Sequence, residues 1–291
     1  MKKTTGEKTF DVFNALFMAF VIFITLYPAY YLLCASFSDS TELLRRNGLL
    51  WWPQGFTTGA YKLTFNYPLV KTGYMNTLFI LIVSLPLNLF LTICCAYVLA
   101  ARNMKLKKFI IPFVMFTMFF SGGLIPSFLN VRSLGMYNSL WALIIPGSLS
   151  VYNAIIVKTA IEGIPESLSE SAYIDGANDI YLLARIIIPL ITPTLAVIVL
   201  YYGVGHWNSW FSAVIYLKDN TKLPIQAVLR AILIENQNIM SANDMSDGEV
   251  NRYAETIKYA LIVVGTLPIL VVYPFLQKYF VKGVMIGAVK G

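Results

Sequence analysis

The sequence predicts an all-α membrane protein with six transmembrane helices and a polar elbow between the fourth and the fifth. Three observations carry this expectation. Of 291 residues, 57% are hydrophobic and only 13% charged, where a soluble domain averages about 25% charged residues. With a mean hydropathy of +0.66, the chain lacks the charge to cover a water-facing surface of its size. The charged residues are also spaced unevenly, leaving apolar intervals of the roughly 20 residues that a helix needs to cross the hydrocarbon layer. Finally, the short basic segments all fall on one side of the layer if the spans number six.

Charge-free intervals mark the spans in order. Asp11 and Asp39 enclose the first, at residues 12–37. Lys2, Lys3 and Lys8 precede it as they would a secretory leader. A leader's apolar core runs only roughly 7–15 residues and closes on small residues at a cleavage site, so this run is expected to be a retained anchor. Lys71 and Arg102 enclose the second span, 74–100, and Lys108 and Arg132 the third, 109–129. The fourth, 138–157, lies between Arg132 and Lys158 and is diluted by Asn138, Pro146, Gly147, Ser148, Ser150 and Asn153. Arg185 and Lys218 enclose the fifth, 186–212, and Lys258 and Lys278 the sixth, 259–277.

The N-terminus (Lys2, Lys3, Lys8), the tight second-to-third turn (Arg102, Lys105, Lys107, Lys108) and the tail (Lys278, Lys282, Lys290) share one face. The positive-inside rule makes that face cytoplasmic, with both termini on it. The opposite face receives the loop 38–72, where Trp51, Trp52, Pro53 and Phe56 suit an interfacial anchor or a docking surface. No internal repeat or low-complexity linker divides the chain, so residues 1–291 are expected to form one helical domain.

Several chemistries are absent. The net charge of +7 is spread over loops and not gathered on a face, which points to topology and anionic lipid and away from nucleic acid. Cys34, Cys94 and Cys95 lie inside apolar runs, and no paired Cys/His spacing suggests a metal. There is no phosphate-binding loop, no His-Glu-x-x-His and no Gly-x-Ser-x-Gly. His206 is the one ionisable side chain other than tyrosine well inside a span, and a proton relay usually draws on several. A stand-alone membrane enzyme or secondary transporter would need catalytic or ion-coupling residues of its own, and none stand out.

The outer half of the fifth span is unusual: Tyr201, Tyr202, His206, Trp207, Asn208 and Trp210. Such residues suit a headgroup belt. They equally suit the path of a polar solute, with hydroxyl, amide and ring faces for a sugar.

The elbow, Glu162 to Pro193, holds five of the fifteen acidic residues. Pro165 fits a first helical position, and Glu166 and Glu170 sit towards the positive end of the helix dipole. Ile164, Leu168 and Ala172 make an apolar stripe. Asp175-Gly176 reads as a stop, and Asn178 or Asp179 can cap a second short helix.

Within it, Glu170-Ser171-Ala172, three residues, Gly176, nine residues, Ile186, one residue and Ile188-Pro189 resembles the EAA signature of the membrane subunits of bacterial ABC importers. That signature reads Glu-Ala-Ala, three residues, Gly, nine residues, Ile, one residue, Leu-Pro. Ser171 stands where the pattern has Ala, and Ile188 where it has Leu. Ala172-x-x-Asp175-Gly176-Ala177 looks like the form found in carbohydrate importers, and the tail 282–291 is similar to the ending of their second permease, nearest to those for aldouronate and other complex oligosaccharides.

The resemblance implies that residues 162–185 form a cytoplasmic coupling-helix elbow. Glu170, Ser171, Ala172, Asp175, Gly176, Ala177, Ile186 and Pro189 would belong to the ATPase-coupling element, and Gly287, Lys290 and Gly291 to a tail at the ATPase interface. It implies a non-catalytic subunit of a bacterial cell membrane importer with no cofactor of its own, ATP and Mg being bound by a partner ATPase. The implied partners are a second homologous permease, an ATP-binding subunit dimer, an extracytoplasmic solute-binding protein, membrane lipids and an oligosaccharide. Because the EAA elbow is widely shared, an amino acid or peptide remains an alternative solute.

Overall fold

The computed structural model describes residues 4–46, 48–101, 106–234 and 256–274, in which all regular structure is helical. Among the described residues, three helices are long and apolar enough to cross a membrane: Thr5–Ser36, Pro68–Ala100 and Thr256–Pro274. Two bent pairs, Lys107–Phe119 with Leu124–Ser133 and Asp179–Leu190 with Thr192–Trp207, would raise the number to five. The all-helical membrane plan is present, with spans less regular than charge spacing suggests. The chain divides into two units, residues 1–70 with 231–267 and residues 71–230 with 268–291.

In the first unit, Thr5–Ser36 begins ahead of the expected residue 12 because a capping box closes its N-terminus. The Glu7 N–H donates to Thr4 Oγ1 at 3.3 Å and the Thr4 N–H to Glu7 Oε2 at 2.7 Å. Its apolar side chains from Phe10 to Leu26 are largely exposed, as a lipid-facing surface requires. Near its C-terminus Cys34 and Ala35 bury against Leu50, with Tyr31, Leu43 and Tyr259 around them. The two tryptophans of the following loop part ways. The Trp51 ring packs 6.0 Å from Phe23 and 5.8 Å from Tyr27, and its carbonyl accepts from the Tyr30 hydroxyl. Trp52, 74% exposed, points outward.

The second unit is built on Pro68–Ala100. Its inward stripe, Thr77, Ile80, Ser84, Asn88, Thr92 and Ala96, is fully buried. Ile82, Phe90 and Val98 on other faces are exposed. Polar residues inside and apolar ones outside is the arrangement that lipid imposes, because a hydroxyl or amide in hydrocarbon needs a protein partner. Thr77 Oγ1 donates to the Gly73 carbonyl at 2.8 Å and accepts from the Ile225 N–H at 2.9 Å. Gly73 lets the backbones close there, since a Cβ on it would stand 3.2 Å from Ile225 Cα.

The third, fourth and fifth apolar runs are broken. Lys107–Phe119 and Leu124–Ser133 meet at 104°, across a Ser-Gly-Gly stretch in which Gly123 takes φ +88, a conformation that disfavours side chains. The expected continuous span 138–157 is two short helices, Trp141–Ile144 and Val151–Glu162. Pro146 lacks the N–H needed to continue the first, and Ser150 Oγ caps the second by accepting from the Asn153 N–H at 3.4 Å. Asp179–Leu190 and Thr192–Trp207 meet at 82°, with Pro189 and Pro193 flanking the corner. The helix breaks again at Asn208 and resumes as Trp210–Tyr216.

Asn138 ties the far end of this unit together from a left-handed conformation, φ 57. Its Oδ1 accepts from the Lys218 and Asp219 N–H groups at 3.1 and 3.0 Å, its N–H donates to the Tyr216 carbonyl at 2.8 Å, and its carbonyl accepts from Lys222 Nζ at 3.0 Å. Asn138→Ala would orphan two amides and strain the backbone, a loss of about 1–3 kcal/mol. It should lower the thermal midpoint of the detergent-solubilised protein; an unchanged midpoint would mean that water replaces the clamp.

Candidate functional site

Residues 162–193 form the elbow, a short helix Glu166–Ile174, a turn, and the helix Asp179–Leu190. Pro165 does not occupy the first helical position expected of it. It precedes the helix as an extended cap, φ −56 and ψ 131. The C-terminus closes in a Schellman motif: the Ala177 N–H donates to the Ala172 carbonyl at 2.9 Å and the Gly176 N–H to the Tyr173 carbonyl at 3.0 Å. Gly176 takes φ +82, and a Cβ there would meet nothing within 4 Å, so the need for glycine is conformational and not steric. Asn178, not Asp179, caps the next helix, its Oδ1 accepting from the Tyr181 N–H at 2.8 Å. That helix passes through a π-helical stretch at Leu182–Ile187, which includes Ile186.

The elbow has two faces. Ala172 is buried with Ile161, Leu182 and Ile187, and Ile164, Ala177 and Ile186 pack against that cluster. Leu168 is 43% exposed, so the expected apolar stripe is Ile164 and Ala172 without it. The outer face carries Glu170, Ser171, Asp175 and Pro189. It also carries Tyr173, Ile174, Ile180 and Tyr181, with Ile174 86% and Ile180 78% exposed.

Two polar braces hold the elbow. At its start Glu162 accepts from Lys158 Nζ at 2.6 Å and Lys107 Nζ at 3.3 Å. Burial works against ionisation of Glu162, but the two ammonium groups prevail and hold its carboxyl below the usual range. At the turn, Asp179 Oδ1 accepts from the Tyr173 hydroxyl at 2.6 Å and the Tyr97 hydroxyl at 3.0 Å. These bonds, Tyr173 first, hold the Asp179 carboxyl below its ordinary value. A groove of about 530 Å³, lined by Tyr97, Glu162, Glu166, Tyr173 and Asp179 among others, runs between the elbow and the end of Pro68–Ala100.

A second, open cavity of about 870 Å³ lies at Thr192–Trp207 and Val151–Glu162. Tyr201, Tyr202 and His206 line it, together with Ser150, Tyr152, Asn153, Ser209, Ser212 and Tyr216. The Tyr152 and Tyr201 rings stand 6.4 Å apart at 33°. The other three residues expected on this path are placed elsewhere. Trp207 is buried, its ring 6.1 Å from Tyr74, Asn208 is exposed at the helix break, and Trp210 carries the Arg230 guanidinium 4.2 Å from its ring centre. Tyr202 and His206 also reach behind the cavity to the buried stripe. The Tyr202 and Thr92 hydroxyls lie 2.7 Å apart, the Ser150 N–H donates to Tyr202 Oη at 2.9 Å, and His206 Nε2 lies 3.2 Å from Asn88 Nδ2.

The tail residues Gly287, Lys290 and Gly291 lie outside the described residues. No cluster of three or more His, Cys, Asp or Glu suited to a metal occurs among the described residues. Sequence reading missed Tyr97, Tyr173 and Lys107 as braces, Tyr152 at the cavity and Thr92 behind it. For Thr92 a signal existed: Thr77, Ser84, Asn88 and Thr92 recur at helical spacing in an otherwise apolar run.

Residues 75–286 match the family described as binding-protein-dependent transport system inner membrane component. The chain is 41% identical to protein LplC of Bacillus subtilis (strain 168), over 100% of this chain and 98% of that one. It is 38% identical to the polygalacturonan/rhamnogalacturonan transport system permease protein YtcP of the same organism, over 98% of this chain and 99% of that one. Its backbone is similar to a chain in the crystal structure of a bacterial ABC transporter involved in the import of the acidic polysaccharide alginate. The TM-score is 0.87 at 28% identity, covering 96% of this chain and 99% of that one.

The Asp179 brace makes a dated claim on pH. Its carboxyl titrates below the ordinary 3.8, so its contribution is complete above that value and is lost only as pH falls through the lower, folded-state pKa. Deuterium uptake in residues 166–181, corrected for intrinsic exchange, should stay flat between about pH 5 and pH 8. Asp179→Ala should raise that uptake throughout the range; an unchanged uptake would leave the brace without weight.

Proposed function

We propose that this chain, which belongs to the family of binding-protein-dependent transport system inner membrane components, is one of two membrane subunits of an ATP-driven importer for an oligosaccharide. An extracytoplasmic binding protein delivers the sugar. The observation that carries the reading is the elbow. It is a polar helix-turn-helix between apolar helices, with Glu170 and a set of apolar side chains on its outer face, inside the segment that matches the family.

In this reading the elbow is the coupling helix and lies in the cytoplasm with both termini. Six spans form a single membrane domain, the broken third, fourth and fifth runs each counting as one. Glu170 pairs with a basic group in a cleft of the ATP-binding subunit, and the exposed Tyr173, Ile174, Ile180 and Tyr181 fill that cleft. Gly176 sets the bend, and the tail with Gly287, Lys290 and Gly291 reaches the same interface. Closure of the ATP-binding dimer, which holds ATP and Mg, pushes the elbow and turns the spans from inward- to outward-facing.

The cavity supports a sugar over an amino acid or peptide. Its described lining offers tyrosine rings, hydroxyls and the Asn153 amide, with no Lys, Arg, Asp or Glu among them. A zwitterion leaving water needs opposing charge, whereas a pyranose needs ring faces and hydrogen bonds. The names of YtcP and of the alginate transporter, which concern polysaccharides, support the same class.

Glu170→Lys should reduce uptake about tenfold or more, the size expected when a charge meets a like charge at a docking face, while the protein still inserts and folds. Normal uptake with normal ATP turnover would remove the coupling role. Tyr201→Ala should slow uptake or change which oligosaccharide passes; the same rates across a panel of sugars would return Tyr201 to a packing role.

A further inference from the structure

Tyr202 has two surroundings at once. It lines the cavity, yet it is only 7% exposed. Its hydroxyl lies 2.7 Å from Thr92 Oγ1 and accepts from the Ser150 N–H at 2.9 Å. Neither partner is incidental. Ser150 is the N-cap of Val151–Glu162, whose last residue is the Glu162 held by Lys158 and Lys107 at the start of the elbow. Thr92 lies five residues before Tyr97 on Pro68–Ala100, and Tyr97 donates to Asp179 at the elbow's turn.

The bonds therefore close a frame. One side runs from Tyr202 through Ser150 and a single uninterrupted helix to Glu162. The other runs from Tyr202 through Thr92 and one further turn of helix to Tyr97 and Asp179. The interior of the frame is the cluster of Ala96, Val157, Ile161, Ala172, Leu182 and Ile198, all buried. Both sides are helix, so neither absorbs a displacement by bending, and the elbow is tied at its start and at its turn.

We propose that the Tyr202 hydroxyl is the positioning group that transmits rearrangement between the cavity and the elbow, so that occupancy of the ATPase is felt at the cavity wall through Ser150 and Thr92. The proposal rests on the elbow being the ATPase-docking element. Tyr202 acts through its two partners and not by contact with the sugar: its hydroxyl is already committed to the frame, whereas the Tyr152 and Tyr201 rings stand side by side in the cavity lining. Coupling of this kind is reciprocal, so a signal imposed at the nucleotide end reads out at the cavity.

The test uses the assembled importer in lipid nanodiscs and the nucleotide Mg-AMP-PNP, with no sugar present. An environment-sensitive fluorophore on Tyr152→Cys, in a background with Cys34, Cys94 and Cys95 replaced by alanine, reports on the cavity. Nucleotide binding should change its emission in the parent. Tyr202→Phe should cut that change about fivefold or more at saturating nucleotide, since couplings of this kind span about 5–150-fold. Thr92→Val, which removes the bond from the other side without touching the cavity, should do likewise and decides the matter if Tyr202→Phe does not assemble. Adding Asp179→Asn to Tyr202→Phe should cost little more than the worse single change, because links in one frame do not add. A full response in both Tyr202→Phe and Thr92→Val, or losses that multiply, would overturn the proposal. Glu170→Lys separates the two readings. If it abolishes the response while Tyr202→Phe keeps it, only the frame fails. If Glu170→Lys also keeps it, the docking assignment itself is wrong.

Discussion

Hydrocarbon offers no hydrogen bonds, and most features of this chain follow from that one constraint. Amides and hydroxyls inside the layer must find their partners in the protein, and among the described residues Ser84 Oγ and Asn88 Oδ1 are buried without one. An unbroken helix pairs its own amides automatically, which is why Thr5–Ser36 can present apolar side chains to lipid with little support. A broken helix does not. Where the runs fail, at Gly123, at Pro146 and at Asn208, freed backbone groups turn to side chains: Ser127 Oγ and Ser209 Oγ donate to the Gly123 and His206 carbonyls, and Ser150 caps the helix that follows Pro146. The buried stripe of Pro68–Ala100 supplies several of the remaining partners, through Thr77 to Ile225 and through Thr92 and Asn88 to Tyr202 and His206.

How much of this was legible in the sequence depended on whether the signal was local. The glycine stop at Gly176 and a cap at Asn178 or Asp179 rest on residue type and spacing alone, and the structure has Gly176 in the stop and Asn178 as the cap; of the apolar intervals, the first, second and sixth coincide with long apolar helices. The breaks are also local in cause, yet charge spacing is blind to them. Ser121-Gly122-Gly123 and Pro146-Gly147-Ser148 interrupt a backbone without adding a charge. What sequence could not give was pairing. Tyr97, Tyr173 and Asp179 are separated by 82 and 6 residues and meet only because two helices pack, and nothing in the pattern of any one helix announces it. The six aromatic and polar residues of the fifth run show the same limit. Helical periodicity sorts Tyr201, Tyr202 and His206 onto or near one cavity, but the break at Asn208 turns Trp210 away from it.

The polar and apolar halves of the elbow divide its work. Ala172, Ile161 and Leu182 fasten it to the bundle, and the carboxylates of Glu162 and Asp179 fix its start and its turn. These contacts are satisfied within the chain, which leaves Glu170, Ile174 and Ile180 outward. A segment so firmly seated on one side and so open on the other holds its outer face in place without using that face for its own support.

Val151–Glu162 has a mechanical meaning that its hydrogen bonds alone do not convey. It has 12 residues, hence a length of about 18 Å at 1.5 Å per residue, and neither proline nor glycine interrupts it. Pivoted at Ser150, a tilt of about 10° would sweep its far end through about 3 Å at that length. That is of the order of a hydrogen bond's reach, so a rotation too small to be noticed at the cavity wall becomes, at Glu162, the difference between the Lys107 bond made and broken, while the Lys158 bond within the same helix is carried along. The helix is a lever hinged at the cavity wall, with its whole length as the arm that reaches the elbow.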